Sequence, residues 1–239
     1  YHPYTCNPMP FVSDLTNEEV FDLVCEDSKD RTNKPEERTW SKQLKRSFAG
    51  LLLKRESHRQ FTGNGIDKEK LTYLVWCCYG QTNLLMENVH RRTVPSAGGL
   101  YPLRIHVALR VSCGNFGPGL YSMDQHKDDL ILIKKWKPSD RTKFAQCFLD
   151  DSYVHDYAAC VVMSAKTERE TKKYSNRGYR YAILEAGHSA QNLQVACTEQ
   201  DLGCVEIGGF SDEKLKKAIS MDANTFPLTT VFVGEICSQ

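Results

Sequence analysis

Ile105-His106-Val107-Ala108-Leu109-Arg110-Val111 is the stretch on which the fold turns. Ile105, Val107, Leu109 and Val111 alternate with more polar residues. A period of two puts those four side chains on one face of an extended chain, so residues 105–111 are predicted to form a half-buried strand. Gly119–Met123 and residues 130–133 follow as short strands, separated by a turn-like run at 124–129. Residues 159–164 form an apolar run that predicts a buried strand, and 229–233 a final one, with a short extended piece at 204–207. Between them the spacing changes to a helical one. Trp40, Leu44, Phe48, Leu51 and Leu52 predict a helix ending near Lys54. Asp67 is expected to cap a second helix that stops before Gly80. Ser139 starts a helix to about residue 149, the longest helix runs over 179–203, and another covers 212–220. Residues 82–92 read as a loop or a poorly patterned helix. Mostly antiparallel strands with flanking helices make an α+β domain.

Composition narrows the function. The chain has 239 residues, and 31 basic against 30 acidic side chains leave a formal charge of +1. Such a balance gives no electrostatic case for nucleic acid or an anionic membrane. No apolar run approaches the roughly 18 residues of a membrane span, and no charged start followed by an apolar stretch marks a signal peptide. The ten cysteines include an adjacent pair, Cys77 and Cys78, but no C-x-x-C spacing, which argues against structural zinc. Cys78, Cys160 and Cys197 lie in apolar stretches, so a reduced cytoplasmic setting is expected. Residues 1–37 are polar and charged, with one amphipathic stretch at 15–24, and read as an extension on a single domain at 38–239. The chain starts at Tyr1 rather than Met, as expected of a trimmed chain or a piece of a longer one.

Four segments carry chemistry. Arg55-Glu56-Ser57-His58-Arg59 gathers two guanidinium forks and a hydroxyl, donors that match a phosphate. Pro95-Ser96-Ala97-Gly98-Gly99-Leu100-Tyr101-Pro102 is stiffened by a proline at each end, with small residues between that let a flat ligand approach the backbone. Lys173-Tyr174 supplies two proton carriers of similar intrinsic pKa, ahead of Glu185-Ala186-Gly187-His188 and Gln191-Asn192. A glycine at 187, inside a helix, costs about 1 kcal/mol against alanine and suggests close approach by backbone or ligand. Ile207-Gly208-Gly209-Phe210 offers exposed amides after a short strand. Read singly, each is an ordinary surface cluster, tight loop or turn. There is no G-x-G-x-x-G and no P-loop, so a Rossmann-type NAD site has no support.

Taken in this order and spacing, from about Trp40 to Glu235, the four segments resemble the nitroreductase superfamily, and within it the azoline dehydrogenases of microcin- and streptolysin-type peptide biosynthesis. That resemblance implies a nitroreductase-like homodimer with FMN at the subunit interface. It implies that Arg55, Ser57 and Arg59 bind the FMN phosphate and the polar edge of the flavin. Pro95, Ser96, Ala97, Gly98 and Gly99 would lie against the ring, contributed by the partner subunit. Gly208 and Gly209 would approach the ring near N5, and Gln191 is a further cofactor contact. Lys173 and Tyr174 match the catalytic pair of the subfamily. One of them would remove the proton from the ring carbon derived from the amino acid's α-carbon, with FMN as hydride acceptor and oxygen as final oxidant. The substrate would be a peptide thiazoline or oxazoline made by a separate cyclodehydratase, in a possible complex with it. The sequence departs from many nitroreductases in having no basic residue beyond the last strand, where it reads Glu235-Ile236-Cys237-Ser238-Gln239; Arg177 or Arg180 could compensate. Three other readings stand beside this one: an oxidase domain acting on carrier-bound thiazolines, a general NAD(P)H nitroreductase, and a non-catalytic flavin-binding scaffold. No metal is implied.

Overall fold

The computed structural model describes residues 48–86, 89–124, 126–149 and 154–237. The 1–37 extension, its stretch at 15–24 and the 40–47 part of the first expected helix lie outside them. In chain order the elements are α1 (Phe48–Lys54), α2 (Lys68–Tyr79), β1 (Gln81–Met86), β2 (Val89–Arg92), a 3-10 turn (Ala97–Gly99), β3 (Leu103–Leu109), β4 (Gly119–Met123), β5 (Leu130–Lys135), α3 (Pro138–Ala145), β6 (Ala159–Lys166), α4 (Glu168–Tyr174), α5 (Arg177–Glu199), β7 (Gly203–Ile207), α6 (Asp212–Ala218) and β8 (Thr225–Gly234).

Six strands form one sheet in the order β5-β4-β3-β6-β8-β7, antiparallel at each pairing. Alternation along the strands splits the core in two. Leu103, Ile105, Val107 and Leu109 of β3, with Val161 and Met163 of β6, face Leu71, Leu74 and Val75 of α2 and Ala186, Ala190 and Leu193 of α5. Ala108, Cys160, Val162 and Phe232 face the other way, onto Phe144 of α3, Phe148 and Tyr157, and Leu215 of α6. The sheet is thus covered on both faces. Its central strand β6 is buried through all but its last residue, which explains why its sequence is continuously apolar rather than alternating. Among the described residues no helix is long and apolar enough to cross a membrane.

The architecture expected from sequence holds, with local corrections. In place of the expected loop or helix, β1 and β2 form a separate two-stranded antiparallel ribbon with register shifts after Gln81 and Leu84. Those irregularities break the period of two that would have revealed it. The strand foreseen at 105–111 is shifted toward its N-terminus, to Leu103–Leu109. The helix foreseen from Ser139 begins at Pro138, whose fixed φ suits a first helical turn, and ends at Ala145. The longest helix begins two residues earlier than expected and ends at Glu199. Helix α4, which carries Lys173 and Tyr174, had no counterpart among the expected elements.

Candidate active site

The sheet register decides which segments meet. Leu103, the first residue of β3, pairs with Ala165 near the end of β6, and the Lys166 amide donates to the Pro102 carbonyl at 3.0 Å. The segment entering β3 is therefore held beside the segment leaving β6. The first is the 95–102 loop and the second is α4. At their meeting point Gly98 has a φ of 64°. A Cβ there would come within 2.6 Å of both Lys173 Nζ and Tyr174 Oη, so only glycine fits the left-handed backbone and the contact together. Lys173 Nζ also lies 5.2 Å from the centre of the Tyr174 ring, and Tyr174 meets Tyr181 edge-on at 5.0 Å. The turn from α4 to α5 is equally tight: a Cβ on Gly178 would be 2.6 Å from the Glu170 carbonyl carbon.

Gly208 and Gly209 follow β7 at the same end of the sheet. Gly208 lines an open cleft of about 410 Å³ with Tyr179, Ile183, Gly187, Glu206 and Phe210. A Cβ on Gly187 or Gly208 would meet nothing within 4 Å. Gly187 is therefore not a helix-packing glycine, since no backbone approaches it; it borders open space. A larger cleft, about 720 Å³, lies against α3 and includes Arg141, Phe148 and His155; none of the residues singled out from sequence lines it. The candidate site has two parts, the smaller cleft, which Gly208 lines, and the Gly98 loop, which Lys173 and Tyr174 approach.

Arg55, Ser57 and Arg59 lie toward the opposite end of β7. The His58 amide donates to the Cys204 carbonyl at 2.9 Å, which pins the centre of this segment. Gly203 leaves room for it, because a Cβ there would sit 2.9 Å from His58 Cβ. A chain of contacts runs from this end to the cleft. Arg55 Nη1 donates to Gln194 Oε1 at 3.4 Å, Gln194 Nε2 to Glu206 Oε2 at 3.0 Å, and Thr229 Oγ1 to Glu206 Oε1 at 2.8 Å. Gly187, Gln191 and Gln194 recur at helical spacing on α5, so Gln191, which is exposed, stands between the cleft and Arg55. Asn192 turns away and donates to the Thr93 carbonyl at 3.0 Å.

Beneath the Gly98 loop lies a buried polar cluster. Glu185 is 2% exposed, and its Oε1 accepts from Tyr79 Oη at 2.6 Å. The Ser96 hydroxyl is its second hydrogen-bond partner. Burial pushes its pKa up to about 7, against the opposing pull of the Ser96 and Tyr79 hydrogen bonds. Glu170 is 1% exposed, and neither carboxyl oxygen has a hydrogen-bond partner on another residue. Burial raises its pKa to about 7 as well, with Arg169 and Arg104 opposing. Arg92 lies over the Tyr79 ring at 4.7 Å and donates to the Tyr79 carbonyl at 2.8 Å.

The structure thus brings Gly98 to Lys173 and Tyr174, and joins Arg55 through Gln194 to Glu206 at the Gly208 cleft. The cleft is lined by no residue of the Gly98 loop and by neither Lys173 nor Tyr174. Sequence reasoning assigned no role to Glu170, Glu185, Gln194 or Glu206. Glu185 carried a signal, for it falls three and four residues from the core positions Ala182 and Ser189, where an apolar residue is expected.

A model of the nitroreductase family matches residues 52–235. A protein of Methanocaldococcus jannaschii named as a nitroreductase is 29% identical over 184 residues, covering 77% of this chain and 88% of that one. Among solved structures, one named as a nitroreductase from Ralstonia eutropha superposes with a TM-score of 0.67 at 22% identity, covering 81% of this chain and 85% of that one. A chain of the E. coli microcin synthetase McbBCD complex, solved with truncated pro-MccB17 bound, superposes with a TM-score of 0.64 at 19% identity, covering 96% of this chain and 85% of that one. At such identities the solved structures speak for the fold, a six-stranded antiparallel sheet between helices. The family match covers most of the sequence, and the chain belongs to the nitroreductase family.

Proposed function

We propose that the protein is an FMN-dependent dehydrogenase that oxidises thiazoline or oxazoline rings in a peptide to thiazoles or oxazoles. The observation that carries this reading is the convergence of Lys173 Nζ and Tyr174 Oη on Gly98. Family membership supports a flavin oxidoreductase, and the residues present fit such a cofactor. Arg55, Ser57 and Arg59 are a donor set suited to a phosphate. The cleft walled by Tyr179, Phe210 and the bare backbone of Gly187 and Gly208 suits a flat ring. Gln191 and Gln194 line the way between. When bound, FMN would accept the hydride.

The chain's own residues supply the rest. Pro95, Ser96, Ala97, Gly98 and Gly99 form a small-residue loop, so the flat flavin ring held by a partner subunit can lie close to its backbone. Lys173 or Tyr174 removes the proton from the ring carbon, and the other holds the resulting charge. Proximity does much of the work, because base and ring are fixed before reaction. A homodimer would complete the site by setting the Gly98 loop of one subunit against the Gly208 cleft of its partner. Support comes from the apolar residues exposed on two helices, Phe48, Leu52 and Leu53 of α1 and Ile183 and Leu184 of α5. The peptide partner, a cyclodehydratase complex and a cytoplasmic setting belong to this proposal.

The test is a pair of substitutions. Lys173→Ala and Tyr174→Phe should retain flavin absorbance after gel filtration and slow azoline oxidation at least about 100-fold, the usual loss for a general base. Full activity in the double variant would sink the reading. In that event NAD(P)H turnover with nitro compounds or quinones would mark a general reductase; the Methanocaldococcus and Ralstonia relatives are named as nitroreductases.

A further inference from the structure

The 95–102 loop holds three left-handed residues within four positions: Gly98, Gly99 and Tyr101, at φ 64°, 69° and 52°. A left-handed tyrosine is costly and persists only where its surroundings fix it. Two arms do so. Before the strained residues, Ser96 Oγ accepts from the Tyr101 amide at 2.9 Å, and its hydroxyl is hydrogen-bonded to Glu185. After them, Tyr79 Oη accepts from the Leu103 amide at 3.2 Å and donates to Glu185 Oε1. Both arms end on one carboxyl group.

We propose that Glu185 is a positioning residue that clamps both ends of the 96–103 loop and so sets Gly98 against Lys173 Nζ and Tyr174 Oη. Its importance for turnover rests on reading Lys173 and Tyr174 as the proton-handling pair; the clamp itself does not. A purely structural residue here would be apolar. Glu185 occupies the alanine-rich buried stripe of α5, where a carboxyl group carries a desolvation cost that a small apolar side chain avoids. The groups facing it are Tyr79 from α2, Arg92 from β2, Ser96 and Tyr101 from the loop, and Glu170 from α4. Of these only Ser96 and Tyr79 carry hydrogen bonds from Glu185 to the loop and to β3.

Three variants and amide hydrogen exchange test the clamp. Glu185→Ala removes both arms. Glu185→Gln keeps a group able to bridge two hydroxyls. Ser96→Ala cuts one arm and leaves Tyr79 in place. In Glu185→Ala, exchange at the Tyr101 and Leu103 amides should rise about 10-fold or more while the β6 amides stay as in the wild type, because the opening is local. With substrate, kcat should fall about 10-fold and KM change less than about 2-fold, as befits a misplaced base rather than lost binding. Glu185→Gln should restore both. Ser96→Ala should loosen Tyr101 and spare Leu103. Unchanged exchange at Tyr101 and Leu103 in Glu185→Ala, or acceleration spread equally over β6, would overturn the proposal. A loosened loop in Glu185→Ala together with full azoline turnover in the Lys173→Ala/Tyr174→Phe variant would leave the clamp standing and remove the azoline reading.

Discussion

Replacing Gly98 by alanine would set a methyl carbon 2.6 Å from the two side chains that define the site, on a backbone already at φ 64°. The lysine end can swing aside, but the left-handed alanine cannot relax, which costs on the order of 1–2 kcal/mol. Gly98→Ala is therefore expected to melt roughly 2–8 °C lower and, under the proposed reading, to keep its flavin and lose azoline turnover. Differential scanning and a turnover assay read both effects. Glu170 gives a second prediction. Its carboxyl titrates near 4.5 when unfolded and near 7 in the folded protein. Below about pH 4.5 it is protonated in both states and contributes nothing. Between 4.5 and 7 the unfolded chain ionises first, so stability falls as pH rises, and above 7 the full penalty persists, on the order of 3 kcal/mol. Glu170→Met should remove this penalty, raising the melting temperature at pH 8 and leaving it nearly unchanged at pH 4. An equal shift at both pH values would show that the gain came from packing instead.

At the scale of elements, the strand and helix pattern was readable wherever side chains sort by face. β3 shows the period of two, and α2 begins and ends where Asp67 and Gly80 place it, although Asp67 makes no side-chain cap. The pattern failed where no apolar face exists. Helix α4 reads Glu-Arg-Glu-Thr-Lys-Lys-Tyr, and its one buried residue is the acidic Glu170, so hydrophobic periodicity has nothing to report. The ribbon of β1 and β2 failed for its register shifts. The candidate site residues could be singled out together only through their joint resemblance. Their meeting depends on a register between β3 and β6 that no short motif encodes. The link along α5 was likewise invisible, because Gln194 reads as one more polar residue until Arg55 and Glu206 are seen on either side of it. Gln194→Ala should weaken flavin retention by orienting Arg55 less well, and by less than Arg55→Ala, which deletes the charge itself. Dissociation constants from flavin fluorescence quenching, in the order wild type, Gln194→Ala, Arg55→Ala, would support the link. Equal affinity of Gln194→Ala and wild type would refute it.

For the molecule as a whole, the separation of the Gly98 loop from the Gly208 cleft makes assembly part of the chemistry under the proposed reading. Leu53 is 89% exposed on α1 and, with the exposed Phe48 and Leu52, forms an apolar face among the described residues. Leu53→Glu should leave the fold intact by circular dichroism, shift the protein to a monomer in sedimentation, and abolish flavin retention. A flavin-loaded monomer would show that one chain suffices.

The placement of these groups along the sheet also has an evolutionary consequence. The segment proposed to hold the anion, residues 55–59, is anchored at one end of β7, at Cys204, while the lysine, the tyrosine and the glycine loop gather where β3 begins and β6 ends. Mutations on the exposed face of α4 can accumulate without disturbing the contacts of Arg55 or the backbone anchor of His58. A lineage built on this plan is free to exchange one substrate for another while inheriting the same cofactor unchanged, so close relatives are expected to differ most in what they oxidise and least in what they carry.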